Sequence, residues 1–175
     1  MSGNYDRIAR FYDIDVARNM AFDDVAFYRA QCLREPGPAV ELGCGNGRIL
    51  LELLAAGIDA YGADASSGML ADLARKAAAR GLPVRAARMD IRQPGLRSGL
   101  GVVLLPYSLV TYLTADEDAA RLLAALRALL RPGGRCVIDA FIPRPRAAND
   151  AFTLDYRRPF GDQVLARWKR ITAVS

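Results

Sequence analysis

Val40-Glu41-Leu42-Gly43-Cys44-Gly45-Asn46-Gly47-Arg48 is the stretch on which the fold turns. Ala39 to Leu42 is a short apolar strand, and Arg48 to Leu54 opens a helix that Gly57 ends. The glycines between them allow a tight turn and let a ligand approach the backbone, whose N–H groups are expected to point into a crevice. The plain alternative is a tight strand-to-helix turn with no ligand.

Downstream the same strand-then-helix rhythm continues. Ile58 to Ala63 is a second strand that stops at Asp64, and Ser66 or Ser67 caps a helix carrying Met69, Leu70, Leu73 and Ala77 up to Gly81. Pro83 to Met89 is a third strand ending at Asp90. Leu100 to Pro106 is a fourth, apolar on both faces and therefore expected at the centre of a covered sheet. Thr114 is expected to cap the next helix, with Asp116, Glu117 and Asp118 in its first turn and Arg127 and Arg131 near its end, matching the helix dipole. Pro132-Gly133-Gly134 stops that helix, and Arg135 to Ile142 is a fifth strand. Upstream, residues 4–34 read as helical. Asp23-Asp24 signals a helix start, Val25, Tyr28, Cys32 and Leu33 form the apolar positions, and Glu35-Pro36-Gly37-Pro38 is a break.

Strands alternating with helices predict an α/β fold with a Rossmann-like, doubly wound, mostly parallel sheet. Ligands bind such sheets at the carboxyl ends of the strands, so the loops after Leu42, Ala63, Met89, Leu105 and Phe141 carry the expected site. Asp64 follows Gly47 by 17 positions, where a carboxylate can accept from two ribose hydroxyls at once. Asp90 could accept from the exocyclic amine of a base. A helix-capping aspartate and a solvated turn residue are the plainer readings of these two.

Composition narrows the function. The 175 residues are 52% hydrophobic and 25% charged, enough for a real core in one domain and unlike a disordered chain. There is no histidine, which removes the commonest general base, the Ser-His-Asp relay and most zinc and haem sites. No metal site is expected. Cys32, Cys44 and Cys136 sit singly and cannot all pair, which suits reduced thiols and a cytoplasmic protein. No run approaches the roughly 18–20 apolar residues of a membrane span. Met1 to Tyr12 carries Asp6, Arg7 and Arg10 and lacks the apolar core of a secretory signal. The net charge of +5 is uneven: residues 143–175 hold seven basic and three acidic residues, while residues 1–142 hold 17 and 16. No basic helix interleaved with aromatics accompanies that tail, so nucleic acid is not the expected partner.

Taken together, these stretches resemble a known family. The glycine segment Val40 to Arg48 resembles the first motif of class I S-adenosylmethionine-dependent methyltransferases. Ala60 to Leu70 is similar to their second motif, Met89-Asp90-Ile91 to the acidic turn after their third strand, and Leu129 to Gly134 to the Pro-Gly-Gly segment before their fifth. Tyr5-Asp6 and Phe11-Tyr12-Asp13 resemble the N-terminal aromatic segment of the small-molecule branch. The matches run in order over residues 5–142. The resemblance implies that Glu41, Gly43 and Gly45 line the methionine portion of S-adenosylmethionine, that Asp64 binds its ribose, and that Met69 or Ala65 covers the adenine. It further implies that Asp90 with Ile91 reads the adenine edge, that Pro106 and Tyr107 flank the sulfonium, and that Tyr12 lies over the pocket mouth. Methyl transfer is an in-line displacement from a good leaving group, so positioning and desolvation supply most of the rate and a missing histidine is no obstacle. If the acceptor needs a base, Tyr5, Tyr12, Tyr107, Tyr112 and Asp13 are the candidates, with packing as the plainer role of the tyrosines.

By this reading residues 1–36 form a helical lid, 37–142 the Rossmann-like core, and 143–175 a basic tail. Two features depart from the family pattern. Gly101 stands in place of a side-chain-bearing residue at the start of the fourth strand. The tail has room for about one strand, Val164 to Val174, where the family has two, so the fold is expected to lack its usual last strand or strands. A bare apolar edge is a liability. Three explanations fit: a cut chain, dimerisation along Val164 to Val174, or, the first choice, completion there by a second protein chain as a heterodimer. The expected function is a methyltransferase acting on a small molecule in natural-product biosynthesis. One alternative is a methyltransferase-like enzyme turned to intramolecular substitution, such as aziridine closure with loss of sulfate, in which Arg48 or the tail arginines hold the leaving group. Another is a non-catalytic binding subunit.

Overall fold

A computed structural model describes residues 2–19, 23–141 and 149–172. The chain divides into two units, Met1–Phe141 and Ile142–Ser175.

The first unit is built on a five-stranded parallel sheet: β1 (Ala39–Leu42), β2 (Ala60–Asp64), β3 (Ala86–Arg88), β4 (Leu100–Leu105) and β5 (Leu130–Ile138). Its strand order is β3-β2-β1-β4-β5. The chain runs outward from β1 to β3 and then crosses back to β4, so the order reverses between β1 and β4. A crevice opens at the carboxyl ends of the strands at such a point. Parallel register sets Leu42 beside Ala63 and Glu41 beside Leu104, which brings the ends of β1, β2 and β4 to one rim.

Alternation along the strands sends side chains to two cores. Val102 and Leu104 pack on one face with Tyr28, Leu50, Leu53 and Leu73, from the helices α3 (Asp24–Arg34), α4 (Leu50–Ala55) and α5 (Ser67–Ala79), and with Ile49 just ahead of α4. Val40, Leu42, Val103 and Leu105 pack on the other with Leu122, Leu126 and Leu129 of α6 (Asp116–Leu129). Every residue of β4 is buried, as its apolar run predicts for a strand covered on both faces. Each buried leucine contributes about 1.5–3 kcal/mol by leaving water.

Local signals behave as their chemistry predicts at two helix starts. Asp23 accepts the Ala26 amide ahead of α3, and Ser66 accepts the Met69 amide ahead of α5. The helix α6 differs from expectation. Its N-cap is Ala115, which has no side-chain oxygen, and Thr114 lies one residue too early. The three acids of its first turn supply the favourable charge instead. Leu33, read as an apolar face position of α3, is 66% exposed. Gly101 has a spatial cause: a Cβ there would run into the carbonyl oxygen of Pro36. The N-terminal region is helical in pieces, α1 (Ser2–Ile8), a single 3-10 turn (Ala9–Phe11) and α2 (Tyr12–Asn19) ahead of α3. The strand β5 begins at Leu130, five residues before its expected start, because the Pro132-Gly133-Gly134 segment is carried within the strand as an irregularity, with Gly133 at φ +76° and a register shift against β4. It ends at Ile138. Ile142, its expected last residue, lies outside the described residues.

The second unit corrects the sequence reading. Two strands are present there, β6 (Asn149–Phe160) and β7 (Gln163–Ile171), paired antiparallel across Gly161-Asp162. Most of their side chains are exposed, so β6 lacks the alternation that would have announced it. The expected single unpaired strand over Val164 to Val174 is therefore a hairpin arm with β6 on one edge; Val174 itself lies outside the described residues, as do Arg144 and Arg146.

Candidate active site

A cavity of about 620 Å³ opens at the strand ends. That is within the usual range for a small-molecule site. Gly43, Gly45, Asp64, Ala65, Met69, Asp90, Ile91 and Pro106 all line it, as do Tyr5, Tyr12, Tyr107 and Tyr112. These residues come from the turns after four different strands and from the N-terminal helices, so the fold brings together what the sequence scatters over more than 100 positions.

Two predicted site residues are not among those that line it. Asp13 faces away: its carboxylate takes the Lys76 ammonium at 2.5 Å and the Asn46 side-chain amide at 2.8 Å. It ties α2 to α5 and is not placed to act as a base in the cavity. Glu41 lies beneath the glycine turn and is 3% exposed. Burial pushes its carboxyl up to about 8, with Asp64 and Asp24 adding to the rise and Arg48 and the Leu50 amide opposing it. Its Oε2 has no hydrogen-bond partner.

The glycine turn holds a further correction. Its amides were expected to point free into the crevice, but the structure uses them. Gly43 and Cys44 donate to the Ala63 carbonyl at 2.7 and 3.0 Å, Gly47 donates to the Cys44 carbonyl, and Gly45 donates to Asp64 Oδ2 at 2.8 Å. Buried amides in so tight a turn must find partners, and the neighbouring strand supplies them. A phosphate cradle needs several such amides unpaired. This turn instead offers a close, uncharged backbone surface. Gly45 has φ +52°, and a Cβ on it would project into open space. The site therefore fits a ligand without phosphate that lies flat against the turn.

Asp64 closes the arrangement from β2. Its Oδ1 accepts the Ser66 amide at 2.8 Å while Oδ2 accepts Gly45, and a carboxylate retains lone pairs for further donors. Asp90 is engaged by Arg92, through the backbone amide at 2.9 Å and the guanidinium at 2.6 Å. Arg92 and its backbone amide hold the Asp90 carboxyl below its ordinary range. Arg92 and Asp118 also line the cavity and were not anticipated from the sequence, because their meeting depends on α6 packing beside the turn after β3.

The opposite wall is aromatic. The hydroxyls of Tyr5 and Tyr112 share a hydrogen bond, and the Tyr5 ring stands edge-on to Tyr12 at 6.3 Å. Burial pushes the hydroxyls of Tyr5 and Tyr12 above the ordinary tyrosine range. Tyr107 and Ser108 adopt consecutive left-handed conformations, φ +56° and +58°. Each such residue costs on the order of 1–3 kcal/mol. The Arg48 guanidinium lies 5.8 Å from the Tyr107 ring and is itself forked onto Asp24 at 2.5 and 2.7 Å.

The helix α1 is also tied to the start of α5, through Asp6, which accepts from the Ser66 hydroxyl at 2.6 Å and the Gly68 amide at 2.7 Å. Gly68 is required there, since a Cβ would sit 2.8 Å from Asp6 Cα. Cys32, Cys44 and Cys136 form no disulfide, and burial pushes the Cys44 thiol well above the ordinary range. Among the described residues no cluster of acids and cysteines could hold a metal, and no helix is long and apolar enough to cross a membrane.

A 3-2-1-4-5 sheet with a glycine turn and acids at successive strand ends is the fold of class I S-adenosylmethionine-dependent methyltransferases. The family profile described as a methyltransferase domain matches residues 39–134, and the chain belongs to that family. A curated relative, the demethylmenaquinone methyltransferase of Thermus thermophilus, is 35% identical over 127 residues, 71% of this chain and 54% of its own length. The chain thus spans about half the length of that relative. Among solved structures, an S-adenosylmethionine-dependent methyltransferase of Clostridium acetobutylicum superimposes with TM-score 0.72 and 16% identity, over 97% of this chain and 80% of the other. CalS10 of Micromonospora echinaspora, an amino pentose methyltransferase involved in calicheamicin biosynthesis and solved with S-adenosylmethionine bound, gives TM-score 0.72 at 22% identity over 94% and 70%.

Proposed function

We propose that the protein transfers a methyl group from S-adenosylmethionine to a small-molecule acceptor. The observation that carries this reading is the glycine turn, with the amides of all three of its glycines engaged and Asp64 bonded to it, facing a cavity lined by both acids and tyrosines. A phosphate-bearing cofactor would meet the Gly43, Cys44, Gly45 and Gly47 amides already engaged, whereas an uncharged ribose and a cationic sulfur meet a carboxylate and tyrosine faces. S-adenosylmethionine, when bound, supplies an electrophilic methyl carbon on a positively charged sulfur.

In this account Asp64 binds the ribose hydroxyls, Ala65 and Met69 cover the adenine, and Asp90 with Ile91 meets its edge. Gly43, Gly45 and Pro106 shape the passage for the methionine portion. Tyr12, Tyr107 and Tyr112 surround the reacting end, exclude water and orient the acceptor with their hydroxyls. Residues 1–36 act as the lid over residues 37–142, held by the Asp6 and Asp13 contacts. The acceptor belongs to natural-product metabolism, a reading supported by the likeness to CalS10. The three free thiols support a cytoplasmic setting.

The substitution reading with loss of sulfate has less support, because the Arg48 fork is taken by Asp24. A second protein chain docking along Val164 to Val174, as a heterodimer or a second copy, is supported by the exposed Phe152, Leu154, Val164 and Trp168 of the hairpin. The hairpin no longer needs a partner to supply its second strand, and its arginines and residues 143–175 are read as interface. Calorimetry of the purified chain with S-adenosylmethionine and S-adenosylhomocysteine tests the main proposal, and an absence of binding would contradict it.

A further inference from the structure

We infer that Asp139 is a positioning residue that holds the Tyr107–Ser108 turn in its left-handed conformation and so fixes Tyr107 at the cavity wall. Two consecutive non-glycine residues with positive φ do not persist unless their surroundings overdetermine them. Here the surroundings are specific. Asp139 follows β5, and its own amide donates to the Leu105 carbonyl at the end of β4. Its Oδ1 accepts the Ser108 amide at 2.8 Å, and its Oδ2 accepts the Tyr28 hydroxyl at 2.7 Å. Ser108 is buried, and its hydroxyl accepts the Phe141 amide at 2.9 Å. The turn is thus bonded on both sides to the segment after β5, and Asp139 is in turn held by a tyrosine of α3.

The consequence falls on Tyr107, which lines the cavity while Ser108 lies buried behind it. Were the turn to relax to negative φ, the Tyr107 ring would swing away from the wall and from Arg48, which lies over it. Asp139 touches no cavity surface itself and acts only through the turn. The inference rests on the methyltransferase reading solely for what Tyr107 faces; the positioning itself is independent of the ligand.

The test uses the full chain with its seven tyrosines replaced by meta-fluorotyrosine. The Tyr107 fluorine resonance is assigned from its loss in Tyr107→Phe. In Asp139→Ala the Tyr107 line should move or broaden by more than its width. In Asp139→Asn, which keeps an acceptor oxygen, it should stay in place. Tyr28→Phe, which removes one bond and leaves the Ser108 bond, should give a smaller change, and it serves if the alanine variant does not fold. Affinity for S-adenosylhomocysteine gives a second arm: Asp139→Ala should weaken it roughly fivefold in the wild-type background and not at all in Tyr107→Ala, as coupled residues do. An unmoved Tyr107 line in both Asp139→Ala and Tyr28→Phe, or equal losses of affinity in both backgrounds, overturns the inference. If S-adenosylhomocysteine fails to bind the unmodified chain, the methyltransferase reading fails while the fluorine arm still decides the role of Asp139.

Discussion

Asp64 Oδ2 accepts the Gly45 amide at 2.8 Å, so the acid that ends β2 is bonded directly to the glycine turn that follows β1. The two features that define the site are one mechanical unit. Removing Asp64 should therefore have two effects. Asp64→Ala leaves the Gly45 and Ser66 amides without their acceptor, costing about 1–3 kcal/mol of stability in chemical denaturation, and it should weaken donor binding by on the order of 2–3 kcal/mol. Stability lost with donor affinity unchanged would refute the ribose role.

The lid contact predicts a kinetic effect. Asp6 joins α1 to the start of α5 through Ser66 and Gly68, and these bonds hold its carboxyl below the ordinary range. Asp6→Ala should expose the segment before Phe11, so trypsin should cut after Arg7 and Arg10 several-fold faster while the core stays resistant. Equal cutting rates in the two proteins would show that the latch does not restrain the lid.

Two glycines should respond differently to alanine. Gly101→Ala forces a Cβ against the Pro36 carbonyl and should cost about 1–3 kcal/mol in thermal or denaturant unfolding. Gly45→Ala meets no atoms but must hold φ +52°, costing about 1–2 kcal/mol, and it places a methyl group in the cavity. Donor affinity should fall for Gly45→Ala and hold for Gly101→Ala.

Glu41 predicts a pH dependence. Its folded value, about 8, lies above the ordinary 4.5, so the folded state holds a proton that the unfolded state releases between those limits. Stability should then fall as pH rises through that window, with no contribution below it and the full penalty above it. The groups acting on Glu41, besides its burial, are Arg48, the Leu50 amide, Asp64 and Asp24. Glu41→Gln should remove this slope, so the melting temperatures of the two proteins should diverge from pH 5 to pH 9 in favour of the variant. Parallel curves would show that Glu41 is ionised throughout.

Much of this was legible in the sequence, for physical reasons that differ from residue to residue. The strand ends, the glycine turn, Asp64 and Asp90 are local patterns, set by apolar runs and the residues that stop them. Ser66 and Asp23 announced their helices because capping is a three-residue event. The partners of Asp13 and Glu41 were not legible, because they depend on which helices meet. Asp139 was missed for the same reason: it sits 31 positions from Ser108 with no motif of its own. The β6–β7 hairpin was missed although one signal existed. Gly161-Asp162 is a favoured two-residue hairpin turn, and Gly161 has φ +61° there, but the exposed strands beside it carry no alternation to draw attention to it.

The most direct measurement is isothermal titration of the purified 175-residue chain with S-adenosylmethionine and S-adenosylhomocysteine, run beside Asp64→Ala. One binding site for each ligand, with affinity lowered about 30–150-fold in the variant, is the predicted result, the factor being the loss above expressed as a ratio. No binding of either ligand to the folded wild-type protein would contradict the methyltransferase account.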